Sequence, residues 1–266
     1  MQILLAPSKT MINRPSASPG VDADQFAGLS STNPRRWATA CTIARELSDC
    51  APDQLATMLR CSPRLAAAAH AHYQRIALSA PGEGTPALWA YRGTAYRHLD
   101  APSLTAAEAA GAAGHLWIAS YLYGLLRPTD SVLPHRMEAG ITLSCTGGKS
   151  LAEYWRDALT DELITAVRAD DGILLHLATE EFQHLFHWRR IEASVRIVKP
   201  LFYVERNGHR TIQAVWAKTG RGAMARHAIH QHHCSTPETL TTFSYAGFTL
   251  DPDYHDPDFP KFVRPA

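Results

Sequence analysis

The sequence predicts a mixed α/β fold: one domain over residues 1–266, with a mixed sheet, surrounding helices and a C-terminal β-hairpin followed by a basic helix. Three observations carry this. Short apolar runs of strand length alternate with segments of helical spacing along the chain. Asn207-Gly208 between two strand-like runs is a strong hairpin signal, so the sheet is not purely parallel. No linker divides the 266 residues, and that length is ample for one core.

Taken in order, residues 2–6 read as a short buried strand running straight into Pro7-Ser8-Lys9-Thr10. Residues 11–32, rich in Pro, Ser, Gly and Asp, read as a long loop. Asn33-Pro34, Pro52 and Ser62-Pro63 each open a helix, because Pro suits the first turn and Asn or Ser the cap. Residues 87–91 read as a strand ending at Arg92-Gly93. Thr105-Ala-Ala-Glu108 is a capping box before an Ala-rich helix. Residues 115–120 fit either a strand or a buried helix. Residues 141–145 read as a strand broken by Gly147-Gly148. Helical spacing of Leu151, Tyr154, Trp155, Leu159, Leu163 and Val167 marks a helix over 151–168. The apolar run 173–177 is a buried strand, and Thr179 caps a helix carrying Glu180 and Glu181. Residues 196–205 and 210–216 form the hairpin, and 220–233 the basic helix.

Composition narrows the function. With 45% hydrophobic and 19% charged residues the chain is an ordinary soluble protein. A net charge of +1 gives no global footprint for nucleic acid or membrane, so polyanion binding must come from a local patch. No apolar run approaches a membrane span, and Ile3-Leu4-Leu5 is too short for a secretory signal. The five cysteines include no Cys-x-x-Cys pair, which fits a reducing cytoplasm.

Lysine is scarce: five, against twenty-one arginines. Four of them, Lys9, Lys149, Lys199 and Lys218, sit in short motifs with Gly, Pro, Ser or Thr. Lysine supplies a compact charge of adjustable pKa that arginine cannot, so the four are candidates for one shared site. Gly148-Lys149-Ser150 before a helix is not a phosphate loop, since Leu143 stands where that motif needs Gly. It is either a turn with a helix start or a small anion cradle. Arg127, Asp130, Arg136 and Glu138 are interleaved with large apolar residues, which fits an arginine–carboxylate network or a phosphate site. Lys218, Arg221 and Arg226, spaced by glycines at a helix start, suggest a phosphate-bearing ligand or a solvated basic end. His227, His230, His232, His233 and Cys234 cluster without a recognised metal spacing, as do His176, His184 and His187 around Glu180-Glu181. No metal and no cofactor is expected.

The order of these motifs resembles the YaaA family of bacterial peroxide-stress proteins nearly end to end. The residues that carry it are Leu5 to Thr10, Tyr91-Arg92-Gly93 with Tyr96, and Leu122 to Asp130. Pro134, Arg136, Glu138 and Gly140 follow, with Gly148-Lys149, Trp155, Leu177 to Glu181, Lys199-Pro200, and Ala217 to Arg226. The resemblance implies one α/β fold, a positively charged cleft, a link to oxidative-stress protection, and a helix-hairpin-helix-like element that binds DNA. The run 123–130 is the candidate for that element. Departures from the family pattern are Thr94, His135, His176, Thr219, Gly220 and the Glu180-Glu181 pair.

Two readings result. In the first, Ser8, Thr10, Arg92, Arg127, Arg136, Gly148, Lys149, Lys199, Arg221 and Arg226 bind DNA or a small phosphate- or nucleoside-type ligand. In the second, the same cleft is an enzyme of specialised metabolism acting on a nucleoside or other small polar substrate, with Lys9, Glu138, Glu181 and Lys218 in acid–base roles. Iron or zinc binding by the added histidines is a third and weaker reading. Oligomeric state is not encoded in any motif.

Overall fold

The computed structural model describes residues 1–12, 28–230, 236–254 and 256–266. The first part of the chain gives β1 (Gln2–Leu5), then three helices, α1 (Trp37–Ser48), α2 (Pro52–Met58) and α3 (Pro63–Leu78). The last two begin at their prolines as expected, and the Ser62 hydroxyl accepts from the Leu65 N–H to cap α3. Next come β2 (Thr85–Pro86), α4 (Ala87–Ala90), α5 (Thr94–Leu99) and α6 (Ala106–His115), then β3 (Leu116–Ser120), β4 (Gly124–Leu126) and β5 (Ser131–Val132). The second half holds α7 (Leu151–Ala169), β6 (Ile173–Leu177), α8 (Trp188–Glu192), β7 (Arg196–Val198), β8 (Leu201–Arg206), β9 (His209–Thr211), α9 (Ala214–His230), β10 (Thr249–Leu250) and β11 (Lys261–Pro265).

The central sheet has the order β4-β3-β1-β6-β7. β1 pairs in parallel with β3 and β6, β6 with β7, and β4 turns back antiparallel on β3. Leu5 stands beside Ile118 on one side and Leu177 on the other, so the carboxyl ends of the three middle strands are level. A second sheet, β10-β11-β8-β9, mixes one parallel and two antiparallel pairings. Asn207 and Gly208, both at positive φ (52° and 77°), make the expected tight β8–β9 turn. β2 and β5 form a small antiparallel pair. The mixed α/β fold is the one the sequence predicts.

Several local expectations change. Residues 87–90 form the one-turn helix α4, buried on every side, so their apolar run carried no periodicity to separate helix from strand. The Ala87 and Leu88 N–H groups donate to Asp130 and Pro128 carbonyls. Residues 141–145 are not a strand: Thr142 makes one bridge to Ser150, and the Glu46 carboxylate takes the Ser144 and Cys145 N–H groups at 2.6 and 2.9 Å. Thr179 precedes a 3-10 turn, Glu180–Leu185, rather than an α-helix. The run 123–130 is β4 and a turn, not a helical hairpin, because Gly124 at φ +77° reverses the chain onto β3. β9 ends at Thr211, and α9 starts at Ala214, six residues before the expected helix. Most of the long loop, residues 13–27, lies outside the described residues. No helix among the described residues is long and apolar enough to cross a membrane.

Candidate functional site

A cavity of about 360 Å³ opens at the carboxyl ends of β1, β3 and β6. Strand order reverses here: from β1 the chain builds β3 and β4 to one side, later β6 and β7 to the other. Loops leaving neighbouring strands at such a point diverge and leave a crevice. The lining comes from all three strand ends and from α5 and α9.

The loop after β1 is held from two directions. The Ser8 hydroxyl accepts from the Thr10 N–H at 3.0 Å, closing a local turn. The Thr10 carbonyl accepts from Arg92 N–H at 2.9 Å, and Ile12 N–H donates to the Ala90 carbonyl at 2.9 Å. Gly93 is required at this contact, because a Cβ there would collide with the Ser8 side chain. α5 follows at once and brings Thr94, Ala95 and Tyr96 to the cavity, where the Tyr96 hydroxyl donates to the Ala6 carbonyl at 2.9 Å. This brings Pro7 to Thr10 and Tyr91 to Tyr96, two motifs far apart in sequence, into contact at Gly93.

Lys9, Arg136, Lys218 and Arg221 line the cavity with one carboxylate, Glu181. Glu138 lies at the edge, 2.6 Å from the Lys9 amine and 4.0 Å from Arg136. Counting it, two positive charges remain in excess. Lys218 and Arg221 are three residues apart on α9 and so share a face. Neither makes a hydrogen bond or an ion pair among the described residues. Arg221 is half-buried, and burial lowers its pKa against the opposing field of Glu180. The Arg136 carbonyl accepts from the Tyr73 hydroxyl, and its Nε is buried without a partner. Aromatic residues line the cavity as well. Tyr121 and Phe182 stack at 4.9 Å, and the Tyr121 hydroxyl donates to the Glu181 carbonyl at 2.9 Å. Burial, with Glu181 and Glu138 nearby, pushes the Tyr121 phenol up.

Of the residues singled out in the sequence, Ser8, Lys9, Thr10, Arg136, Glu181, Lys218 and Arg221 line this cavity, and Glu138 joins through Lys9. The other candidate binding residues do not line it. Arg127 lies over the Trp117 ring at 3.3 Å and donates to the Gly114 and Leu116 carbonyls, at the amino end of β3, the far end from the cavity. Gly148 and Lys149 are exposed in the turn before α7, where Gly148 has φ +74° and Ser150 caps the helix. Lys199 pairs with Glu180 at 3.1 Å, next to the lining residue Glu181. Arg226 reaches Glu108 at 3.4 Å and the Ser103 carbonyl. Arg92 contributes its backbone to the Thr10 contact, and its side chain makes no hydrogen bond among the described residues. The glycines of 217–226 are not a loop at a helix start. They lie inside α9, where Gly220 packs on the Phe202 ring and Gly222 on the Ala95 carbonyl.

The sequence reading left out Tyr121, Phe182 and His135 as lining residues. Tyr121 and His135 sit in or next to the run that interleaves charges with aromatics, the one signal that pointed to them. His227 lies near the Thr239 carbonyl and His230 2.7 Å from Glu108. No group of three or more His, Cys, Asp or Glu among the described residues is placed to hold a metal. His232, His233 and Cys234 fall outside those residues.

Comparison with known proteins places this architecture. Residues 1–254 match the family described as peroxide stress protein YaaA. A UPF0246 protein of Bacteroides thetaiotaomicron is 36% identical over 225 residues, 85% of this chain and 87% of that protein. One from Parabacteroides distasonis is 33% identical over 264 residues, 99% of this chain and all of the relative. Another, from Porphyromonas gingivalis, is 34% identical over 264 residues, 99% of each chain. With the match running from β1 through β10, the chain belongs to the YaaA family of peroxide-stress proteins.

Proposed function

We propose that the cavity binds a small phosphate-bearing ligand of nucleoside type. The observation that carries this is Arg221: a half-buried guanidinium, lining the cavity, with no hydrogen-bond or ion-pair partner among the described residues. Taking a cation out of water costs several kcal/mol unless an anion meets it, and arginine matches phosphate by its planar fork. The Lys218 amine, without a hydrogen-bond or ion-pair partner among the described residues, supplies a further donor, and the Arg136 guanidinium lines the same cavity. Tyr121 and Phe182 give the cavity an aromatic lining against which a base can pack, and about 360 Å³ suits a mononucleotide-sized body. Duplex DNA fits this shape poorly, since its charges form an extended track. The peroxide-stress role in the family's name would act, for this chain, through the occupied cavity in the cytoplasm.

Calorimetric titration with nucleoside 5′-monophosphates tests the reading. Arg221→Ala should weaken binding by roughly 10–100-fold, the loss of charged hydrogen bonds, with little change in melting temperature. Chemical change in the bound nucleotide, abolished by Glu181→Gln, would extend the reading to catalysis, with Lys9, Glu138 and Lys218 as its charge partners. Strongly salt-dependent duplex DNA binding that Lys218→Ala and Arg221→Ala both flatten, with no nucleotide binding, would sink it.

A further inference from the structure

Resting on the nucleotide reading of the cavity, we propose that His135 recognises a hydrogen-bond donor on the ligand, a base N–H or a sugar O–H, through the lone pair of its Nε2. The ring is fixed on three sides. Tyr91 and Tyr123 meet it edge to face, at centroid distances of 6.4 and 5.2 Å and interplanar angles of 79° and 73°. Nδ1 lies 2.9 Å from the Leu133 carbonyl oxygen. A carbonyl can only accept, so Nδ1 carries the proton and Nε2 keeps its lone pair. His135 is 9% exposed and is one of the residues that line the cavity. Nε2 has no partner among the described residues, yet it is not one of the polar atoms sealed from solvent.

The chemistry of the surroundings gives this nitrogen a distinct task. Lys9, Arg136, Lys218 and Arg221 only donate, and they repel a ligand's N–H. Glu181 can accept, but it is exposed. His135 is an acceptor without charge. Burial holds its pKa down to about 4, with the Leu133 carbonyl acting in the opposite direction, so the ring stays neutral at physiological pH. The lining hydroxyls of Ser8, Thr10, Thr94, Ser120 and Thr179 can donate or accept by rotating, whereas the fixed His135 Nε2 can only accept, so it selects the orientation of a ligand with an anion at one end and a donor elsewhere. Recognition of this kind discriminates because an analogue lacking the donor leaves the buried nitrogen unpaired.

The test uses four probes: adenosine 5′-monophosphate, purine riboside 5′-monophosphate, which lacks the amino group, and the 2′-deoxy and 3′-deoxy adenosine monophosphates. In the wild-type protein, one donor deletion should weaken binding about tenfold, the worth of one neutral hydrogen bond. The base or sugar analogue that does so identifies the source of the donor. His135→Phe should bind the intact and deleted probes equally. Binding of all four with no preference in the wild type, or a preference that survives in His135→Phe, overturns the role of His135 and leaves the anion site standing. Failure of all four to bind overturns the cavity reading, and this role with it. Nitrogen-15 spectra of the histidine-labelled wild-type protein need no variant. They should show Nδ1 protonated and Nε2 bare without ligand, and the His135 Nε2 signal alone should shift toward the protonated range on binding. A proton on Nε2 in the free protein would refute the inference directly.

Discussion

His176 stands on β6 beneath Trp188, ring centroids 4.5 Å apart, and is 2% exposed. Its Nε2 lies 3.2 Å from the Gln183 amide nitrogen, which only donates, so Nε2 accepts. Nδ1 then carries the proton, buried without a partner. Burial, then the charges of Lys199 and Arg221, hold this imidazole down to about 3. His135 is held to about 4 by burial. An unfolded histidine takes a proton near pH ~6.5. Between there and the folded values the unfolded chain binds more protons, so stability falls as pH falls. Each histidine should contribute about 1.4 kcal/mol per pH unit of that slope. Urea unfolding from pH 7 to 5.5 should show it, and His176→Leu should remove about one proton's share. A slope unchanged in the variant would mean that His176 is not held neutral. This is also where sequence reading stops. Lys9, Lys218 and Ser8 stood out because lysine is rare and the motif follows a strand. Arg127 and Lys149 looked equivalent to them, since local sequence does not reveal that one guanidinium is stacked on Trp117. The neutrality of His135 and His176 arises from tertiary burial, and their tautomers from the Leu133 carbonyl and the Gln183 amide.

α9 carries the cationic face to the cavity, and its glycines set how close it comes. A Cβ on Gly222 would lie 2.6 Å from the Ala95 carbonyl carbon, and one on Gly220 would enter the Phe202 ring. Backbone on the neighbouring α5 cannot yield as a flexible side chain would. Gly222→Ala should therefore destabilise by about 1–3 kcal/mol, the cost of overpacking, although alanine is the better helix former by ~1 kcal/mol. Gly114 in α6 is the control: a Cβ there meets nothing within 4 Å. Gly114→Ala should be neutral or stabilising by up to ~1 kcal/mol. Thermal or urea denaturation of the two variants checks the pair, and equal effects would remove the packing explanation. The sequence showed the glycines but not their use. Read beside three cations, Gly220 and Gly222 suggested a helix start meeting a phosphate-bearing ligand, or a solvated basic end. Helix α9 begins earlier than expected because 212–216 is a short run with a weak strand signal, and β9 needs only three residues to close the hairpin. Elements with strong end signals, α2, α3, α6 and α7, start where their caps and prolines put them.

At the scale of the whole chain, the cavity lining runs from Leu5 to Arg221. It draws on the loop after β1, the ends of β3 and β6, and α9. α9 also packs on β8 of the second sheet and on α5 and α6, so it ties the two sheets to one another. In the second sheet Phe202 stacks on Phe262 at 5.7 Å, and Phe202 is also the ring against Gly220. We propose that the chain unfolds as one unit. If the second sheet were separate, α9 would have to leave either Phe202 or the central strands before the rest melted, exposing apolar surface at ~25 cal/mol per Å². Calorimetry should then give one transition, with calorimetric and van't Hoff enthalpies equal. A nucleotide at one hundred times its dissociation constant should raise the stability of that whole transition by about 2.7 kcal/mol, and Arg221→Ala should lose about half or more of the gain. Two resolved transitions, only one of them moved by the nucleotide, would show that the sheets fold independently and that α9 couples the cavity to the central sheet alone.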